Sequence, residues 1–302
     1  MTRDCIDHHR MPRVDAHHHF WWEPTLHDYP WMTDDVSALR RTFSPDDLQP
    51  LLAACGIGYT VLVQTRSSLP ETRLFLALAA RSEFCAGVVG WVDLTRADVA
   101  DTLAELQEGP GGRYLRAIRH QVHDELDPAW LRQDRVLDGL RAVRDAGLAY
   151  DLLIRPRELP AAIEVAKFLP DLPLVVDHIA KPPIAAGRLD GWPGGMAALS
   201  RFENVYCKLS GMVTEAKWNS WSPGDIRPYA ERVLTWFGPE RVLFGSDWPV
   251  CLLAASYEEV FGTARSLIDG LSPADRDRVL GTNAVRVYRL EIAEAAREQS
   301  TP

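Results

Sequence analysis

Short apolar runs alternate with longer amphipathic segments along most of this 302-residue chain. The apolar runs are rich in Val, Ile, Leu and aromatic residues and are bounded by polar, Gly or Pro residues, which is typical of buried strands. They predict eight strands, at residues 14–19, 59–64, 86–92, 115–121, 148–154, 174–178, 205–210 and 242–247. Apolar positions at helical spacing predict helices between them, at residues 71–81, 135–146, 159–168, 226–237, 257–268 and 273–288, with one more opening at Ser44.

A series of strand–helix units without an internal break predicts an α/β protein, a single-domain (β/α)8 TIM barrel. An open doubly wound sheet is the alternative, but such sheets usually carry a glycine-rich turn after an early strand, and the first strand here ends in histidines. We expect a flexible extension over residues 1–12, the barrel over residues 13–295 and a tail over residues 296–302. The start of translation, at Met1 or Met11, stays open.

Composition narrows the class of protein. The formal net charge is −9 and the basic residues are scattered, so a nucleic-acid partner is not expected. No apolar run approaches the roughly 20 residues that cross a bilayer, and the first ten residues lack the apolar stretch of a signal peptide. The five cysteines are widely spaced, which favours reduced thiols in a cytoplasmic protein. Neither a membrane partner nor an organic cofactor is expected, and a homo-oligomer stays open.

The predicted strand ends carry residues that suit a metal or acid–base site. His17 and His19 point to the same side of the first strand because successive side chains alternate between its faces. His178 ends the sixth strand and Asp247 ends the eighth, and parallel barrels place their active sites at the carboxyl ends of the strands. A purification-tag remnant is the alternative for the histidine run, but an apolar start and an aromatic run flank it. We therefore expect these side chains to converge on one rim.

Seven short segments on or beside successive strands carry a family resemblance. They are VDAHHHFW at residues 14–21, DYPW at 28–31, GVVGWVDL at 87–94, IRHQ at 118–121, DHIAKPP at 177–183, KLSG at 208–211 and FGSDWPV at 244–250. In this order they resemble the amidohydrolase superfamily and, within it, the sugar-lactonase branch typified by L-fuconolactone hydrolases. The segments run from the first predicted strand to the last, so the resemblance covers nearly the whole chain.

The resemblance implies one catalytic centre with at most one divalent metal ion, such as zinc, which could also be absent. Its metal ligands would be His17, His19, His178 and Asp247. Asp247 would be the general base that takes a proton from the attacking water, while the imidazoles hold the oxyanion directly or through the metal. Two-metal members carry a Lys on the fourth strand and a His on the fifth. Neither is present at those strand ends here, so a binuclear centre is not expected.

Further strand-end residues are candidate substrate contacts. His120 is a candidate catalytic residue that would orient the lactone carbonyl or a sugar hydroxyl, with a supporting histidine as the alternative. Lys208 would meet a substrate carbonyl or carboxylate, or else form a structural ion pair. Arg66 and Arg119 are candidate polar contacts, and only one of Arg119 and His120 is expected to face the barrel mouth because they alternate.

The resemblance implies a hydrolase that opens a small sugar-derived lactone to its hydroxy acid. The expected substrate is an L-fucono-, L-galactono- or L-rhamnono-type 1,4- or 1,5-lactone, with Trp22 and Trp31 as candidate pocket walls against the sugar ring. A metal-dependent decarboxylase of an aromatic or unsaturated carboxylic acid is the main alternative, and it would need an arginine beside an obligatory metal. A hydrolase of aromatic dicarboxylate lactones and a non-catalytic sugar-binding barrel are further alternatives.

Overall fold

Eight parallel strands, one from each predicted unit, form the centre of the structure, a computed structural model that describes residues 12–25 and 27–292. They lie in chain order, each paired with the next: β1 (Val14–His18), β2 (Tyr59–Val63), β3 (Cys85–Gly90), β4 (Leu115–His120), β5 (Ala149–Leu152), β6 (Leu174–Val176), β7 (Val205–Leu209) and β8 (Val242–Phe244). Each strand ends before the last residue predicted for it. The backbone leaves the sheet there, and His178 and Asp247 take positive φ values of 52° and 58°.

Backbone hydrogen bonds close the barrel between β1 and the segment that follows β8. The N–H of Asp247 donates to the carbonyl of His17 (2.8 Å), and the N–H of His19 donates to the carbonyl of Trp248 (2.7 Å). The buried carboxylate of Asp15 adds a second tie, because it accepts from one backbone N–H on each side of this seam, at 3.1 and 2.8 Å. The predicted (β/α)8 barrel is confirmed, and its seam fixes the backbone of three predicted site residues.

Eleven α-helices surround the barrel in the described part of the chain. They are α1 (Pro45–Cys55), α2 (Leu69–Ala79), α3 (Val99–Glu108), α4 (Asp134–Asp145), α5 (Leu159–Phe168), α6 (Trp192–Leu199), α7 (Met212–Glu215), α8 (Pro223–Phe237), α9 (Tyr257–Leu267), α10 (Pro273–Asp277) and α11 (Asn283–Val287). The closing helix predicted over residues 273–288 is interrupted by a π-helical turn at Arg278–Thr282. Among the described residues, no helix has the length and apolar character needed to span a membrane.

The barrel interior carries a charged layer above an apolar one. Along three strands, a small apolar residue of the inner cluster is followed two positions later by a charged residue on the same face: Ala117 by Arg119, Ala149 by Asp151 and Val175 by Asp177. Lys208 on β7 joins them, and all four charged side chains are buried. Buried charges cost free energy unless they are paired, so these four side chains need ion-pair or hydrogen-bond partners inside the barrel.

The predicted chain ends fall largely outside the described residues. The extension over residues 1–12 lies outside them except for Pro12, and the tail over residues 296–302 lies wholly outside, as does the choice between Met1 and Met11.

Candidate active site

Three histidine rings and one carboxylate converge at the carboxyl ends of β1, β6 and β8. The Oδ1 atom of Asp247 faces the Nε2 atoms of three histidines: His17 at 3.7 Å, His19 at 3.4 Å and His178 at 3.8 Å. The Nε2 atoms of His17 and His19 are 3.3 Å apart. All four side chains are buried. The structure therefore brings together the four residues that the sequence assigned to one site.

The Nδ1 atoms of these rings have partners of their own. Nδ1 of His19 lies 2.8 Å from the carbonyl oxygen of Val63, and because a carbonyl can only accept, this nitrogen carries a proton. In the neutral ring, Nε2 of His19 is then a bare acceptor that faces a carboxylate oxygen of Asp247. Two acceptors at 3.4 Å need a cation or a proton between them. Nδ1 of His178 lies 2.9 Å from the hydroxyl oxygen of Ser210.

Burial sets the charge state of the site. Removal from water lowers the pKa of His17 and of His178 well below the ordinary histidine value, so both rings are neutral at pH 7. Burial alone would raise the pKa of Asp247, but the nearby imidazoles of His178 and His19 and the ammonium of Lys181 together outweigh burial and lower that pKa. An ionised carboxylate and neutral imidazoles are the forms that bind a metal ion or accept a proton.

Three of the four side chains, those of His17, His178 and Asp247, fit the coordination of one zinc ion, whereas His19 lies outside this group. Zinc binds His nitrogen and carboxylate oxygen at about 2.0–2.2 Å in a tetrahedron, whose corners are then roughly 3.3–3.6 Å apart. The separations given above run from 3.3 to 3.8 Å, and His17, His178 and Asp247 offer ligand atoms that lie within 4.8 Å of one another. The donor types and the spacing of these three residues therefore suit a single divalent ion, and His19 adjoins them through its contact with Asp247.

A buried ion-pair network centred on Lys208 supports these residues. Its Nζ atom lies 2.6 Å from Oδ2 of Asp151, 2.9 Å from Oδ1 of Asp177 and 3.2 Å from Nδ1 of His17. The hydroxyl of Tyr288 donates to Asp151 at 2.9 Å. Burial raises the pKa of Asp151 to about 6, whereas at Asp177 the nearby cations overcome burial and hold the pKa well below its ordinary value. Lys208 is buried in this network, which argues against the predicted substrate contact and for the structural ion pair.

Arg119 connects the network to a cavity at the carboxyl ends of the strands. Its Nη1 atom donates to Oδ2 of Asp177 at 2.8 Å and lies 3.3 Å from Nε2 of His17, and its side chain lines the cavity. This placement is compatible with the predicted substrate contact. It also sets a permanent positive charge beside Nε2 of His17, a candidate metal ligand, and this charge would weaken the binding of a cation there.

His19, His178 and Asp247 open onto a cavity of about 220 Å³, which we call the catalytic cavity. Sites for drug-sized ligands run from about 300 to 1,000 Å³, so this cavity suits a smaller molecule. Trp21 and Trp31 give it aromatic walls, and Thr65 and Gln121 add neutral polar groups.

Comparison with known proteins identifies the family. The amidohydrolase family model matches residues 14–290. The chain belongs to the amidohydrolase family. An L-fucono-1,5-lactonase from Burkholderia ambifaria is 40% identical over 286 residues, which cover 92% of this chain and 96% of that protein. An amidohydrolase from Burkholderia multivorans, solved with bound zinc, has a TM-score of 0.88 and 37% identity and covers 93% of this chain and 100% of its own.

A more distant barrel bears on the decarboxylase alternative. A 2,6-dihydroxybenzoate decarboxylase in complex with 2,6-dihydroxybenzoate has a TM-score of 0.68 but only 15% identity, over 93% of this chain and 100% of that one. This likeness shows a shared fold with the present amidohydrolase and no more.

Three charged residues that line the cavity of this amidohydrolase were missed as contacts by the sequence analysis: Asp124, Arg155 and Lys181. Lys181 pairs with Glu215 at 2.9 Å, whereas the exposed guanidinium of Arg155 has no ion pair among the described residues. Each lies just beyond the end of a predicted strand, which is the one signal that could have identified them.

His120 lines a chamber beside the catalytic cavity. Its ring accepts from Nε1 of Trp91 at 3.0 Å, donates to Glu125 at 2.7 Å and stacks on Trp130 at 4.3 Å between ring centroids. Both ring nitrogens are thus in use, which favours the supporting role over the predicted catalytic one.

The remaining predicted contacts lie at the rim. Arg66 lines the same chamber as His120 and pairs with Asp28 at 2.7 Å and Glu71 at 3.4 Å. Trp31 is 40% exposed and lines both the chamber and the catalytic cavity. Trp22 is 39% exposed and is not among the residues that line either space, so its placement gives no support to a pocket-wall role.

Proposed function

We propose that this amidohydrolase opens the ring of a sugar-derived lactone with water and releases the hydroxy acid. We favour an L-fucono-1,5-lactone or a related L-galactono- or L-rhamnono-type lactone, because nearly the whole chain aligns with an L-fucono-1,5-lactonase. The observation that carries the proposal is an ionised carboxylate, Asp247, set among three imidazoles on the wall of a small cavity.

Asp247 is the base in this proposal. Its carboxylate takes a proton from water while the water oxygen forms a bond to the lactone carbonyl carbon. The carbonyl electron pair moves onto its oxygen, where the guanidinium of Arg119 stabilises the negative charge. When the carbonyl re-forms, the bond to the ring oxygen breaks and Asp247 returns its proton to that oxygen. The product carboxylic acid then ionises in water.

The side chains that would hold a divalent ion are His17, His178 and Asp247, with His19 in contact with Asp247. Such an ion would polarise the lactone carbonyl and lower the pKa of the attacking water. Without such an ion, the ring of His178 can accept from the hydroxyl of Ser210 at Nδ1 and donate from Nε2 to the oxyanion. The backbone bonds across the barrel seam hold Asp247 and these rings in place in either case.

The alternatives have less support. A decarboxylase needs an arginine beside the metal to bind the substrate carboxylate, and the decarboxylase barrel described above matches this chain in fold only, at 15% identity. A hydrolase of aromatic dicarboxylate lactones needs several such arginines, and of the two that line the cavity only Arg155 is without an ion pair among the described residues. A sugar-binding barrel has no need to bury ionised Asp247 among imidazoles, which costs free energy.

The test is acid release from L-fucono-, L-galactono- and L-rhamnonolactones, followed with a pH indicator. We expect rapid hydrolysis of one stereochemical subset, and a loss of about 10²–10⁴-fold in kcat for Asp247→Asn with binding of the lactone retained. Asp98→Asn, the same change at an exposed carboxylate that starts α3, is the matched control. Full activity of Asp247→Asn would refute the mechanism. Inertness of folded wild type toward every lactone would refute the function.

We also propose a cytoplasmic location, a small-molecule partner only, and no nucleic-acid partner. The cysteines of the described chain are all free, and three of them, Cys85, Cys207 and Cys251, are buried. Burial raises the pKa of the Cys85 thiol to about 12, so this thiol stays protonated and unreactive. Titration with a thiol reagent under native and denaturing conditions tests the proposal, because disulfides would remove reactive groups from the denatured count.

A further inference from the structure

Two charged side chains on the wall of the catalytic cavity have no part in the proposed chemistry. The carboxylate, guanidinium and ammonium groups on this wall belong to Asp124, Asp247, Arg119, Arg155 and Lys181. Asp247 is the proposed base, and Arg119 and Lys181 are already ion-paired. The other two, Asp124 and Arg155, follow the adjacent strands β4 and β5, so they lie on the same side of the cavity.

The segments that carry Asp124 and Arg155 are tied to each other. The backbone N–H of His123 donates to the carbonyl of Leu153 at 3.1 Å. The guanidinium of Arg157 donates to the carbonyls of the two residues on either side of Asp124, at 3.2 and 2.6 Å. The backbone at Asp124 and the backbone at Arg155 are therefore held in a fixed relation across the ends of β4 and β5.

Both side chains keep hydrogen-bonding capacity that no other described residue uses. Arg155 is exposed, and its guanidinium makes no ion pair or hydrogen bond in the described part of the chain, so its five N–H donors are available. Oδ1 of Asp124 lies 3.2 Å from Nε2 of His123, whereas its Oδ2 atom has no partner among the residues described. The hydrogen bond from His123, helped by the charges of Arg155 and Lys181, lowers the pKa of Asp124, so this carboxylate is ionised at neutral pH.

An available carboxylate oxygen near an available guanidinium matches neutral hydroxyl groups. A hydroxyl both donates and accepts, so adjacent hydroxyls can donate to Asp124 and accept from Arg155. An anionic ligand would be attracted by Arg155 but repelled by Asp124, and the reverse holds for a cationic ligand. The charge of Arg155 acts on Asp124, yet the two form no ion pair with each other, so a ligand can come between them.

We propose that Asp124 and Arg155 bind adjacent ring hydroxyls of the lactone and select hydroxylated lactones over unsubstituted ones. This inference rests on the proposed lactonase function and names the residues that recognise the sugar. The ring of L-fucono-1,5-lactone carries hydroxyls at C2, C3 and C4, and its one exocyclic carbon is a methyl group. The methyl group needs no polar partner, and Trp21, Leu153 and Val250 give the same cavity apolar surface.

Kinetics with two lactones tests the recognition of hydroxyls. δ-Hexanolactone of the matching configuration at C5 has the ring and the methyl group of L-fucono-1,5-lactone but none of its ring hydroxyls. We expect Arg155→Met to lower kcat/KM for the hydroxylated lactone by about 10- to 100-fold, the effect of hydrogen bonds to a charged group. For δ-hexanolactone the change should be less than about twofold. A loss of equal size for both lactones, or no loss for either, would overturn the inference.

Two further variants make this test specific. Asp124→Asn keeps the shape of the side chain, and because its amide oxygen faces Nε2–H of His123, its NH2 donor replaces the free acceptor. It should show the same selective loss, and a loss that is absent or equal for both lactones would overturn the assignment of Asp124. Arg135→Met, at an exposed arginine of α4 that does not line the catalytic cavity, is the matched control and should stay within about twofold of wild type.

The same contacts can be measured without hydrolysis. 1,5-Anhydro-L-fucitol is the cyclic ether with the same ring hydroxyls and methyl group but no carbonyl, so it binds without reacting. Calorimetric titration should show an affinity lower by about tenfold or more in Arg155→Met and Asp124→Asn and unchanged in Arg135→Met. Equal affinities in all four proteins, or no binding by wild type, would overturn the inference.

The two assays separate this inference from the proposed function. A selective loss of affinity for the cyclic ether supports hydroxyl recognition even if wild type hydrolyses no lactone. Hydrolysis by wild type without any selective loss in Arg155→Met and Asp124→Asn overturns the inference and leaves the lactonase proposal standing.

Discussion

Replacement of Lys208 by methionine tests the idea that a buried ammonium holds the catalytic site together. The Nζ atom lies within 3.2 Å of Asp151, Asp177 and His17, and Lys208 and both carboxylates are buried. Methionine keeps most of the volume of the side chain but removes its charge. Two buried carboxylates then lose the cation they share, and breaking a buried pair in this way costs about 3–5 kcal/mol. A domain has a total stability of only about 5–15 kcal/mol, so the effect is large.

The pH dependence of this loss has a definite sign. Burial already raises the pKa of Asp151 to about 6 in the wild type, and without the ammonium both Asp151 and Asp177 hold their protons at still higher pH. The folded variant therefore binds more protons than the folded wild type, whereas the unfolded chains titrate alike. The stability deficit of Lys208→Met grows as the pH rises and shrinks as protonation neutralises the carboxylates.

Urea unfolding at pH 5, 6, 7 and 8 measures the deficit. We expect about 3–5 kcal/mol at pH 7 and a smaller value at pH 5. Lys167→Met, at an exposed position near the end of α5, is the matched control and should shift stability by less than about 0.5 kcal/mol. A deficit below about 1 kcal/mol at pH 7, or one that stays constant across this range, would refute the reasoning.

Three further outcomes follow from the site. Asp15→Ala removes the acceptor for two backbone N–H groups at the barrel seam and for the hydroxyl of Tyr257. Urea unfolding should therefore show that the free energy of unfolding falls by about 2–5 kcal/mol, and a fall of under about 1 kcal/mol would contradict this account. Removal of metal with a chelator and titration with zinc should give one bound ion per chain, whereas two would contradict the single set of ligands. The pH profile of kcat/KM should be flat from about pH 5.5 to 8, because Asp247 is ionised and His178 is neutral throughout this range. A step near pH 6.5 that disappears in His178→Gln would refute this assignment of charge states.

Alternation and strand order were enough to predict the centre of the site. His17 and His19 share a face of β1, and barrel topology brings the ends of β6 and β8 to the same rim, although His178 and Asp247 themselves lie in the turns just beyond those strands. The strand ends were placed one to three residues too far because sequence alone does not show where the backbone turns. The positive φ values of His178 and Asp247 occur at these turns.

The role of Lys208 depends on depth within the barrel, which a strand pattern does not give. An inward-facing lysine meets substrate if it lies in the uppermost layer and meets carboxylates if it lies one layer below. The sequence could not decide between these because the partners, Asp151 and Asp177, come from two other strands. Arg155 and Lys181 were missed for a related reason, since they follow the strands and their direction is set by loop conformation.

Charge balance explains why this site suits one cation and not two. With neutral imidazoles, the buried carboxylates of Asp151, Asp177 and Asp247 and the cations Lys208 and Arg119 leave a single negative charge. One divalent ion turns that charge into a single positive charge, and a second ion would add two more beside two fixed cations. At an effective dielectric constant near 20, two like unit charges 4 Å apart repel each other by about 4 kcal/mol. Electrostatic repulsion would therefore strongly oppose the binding of a second ion. Lys208 and Arg119 supply, from the chain itself, the positive charge that a second ion would otherwise bring.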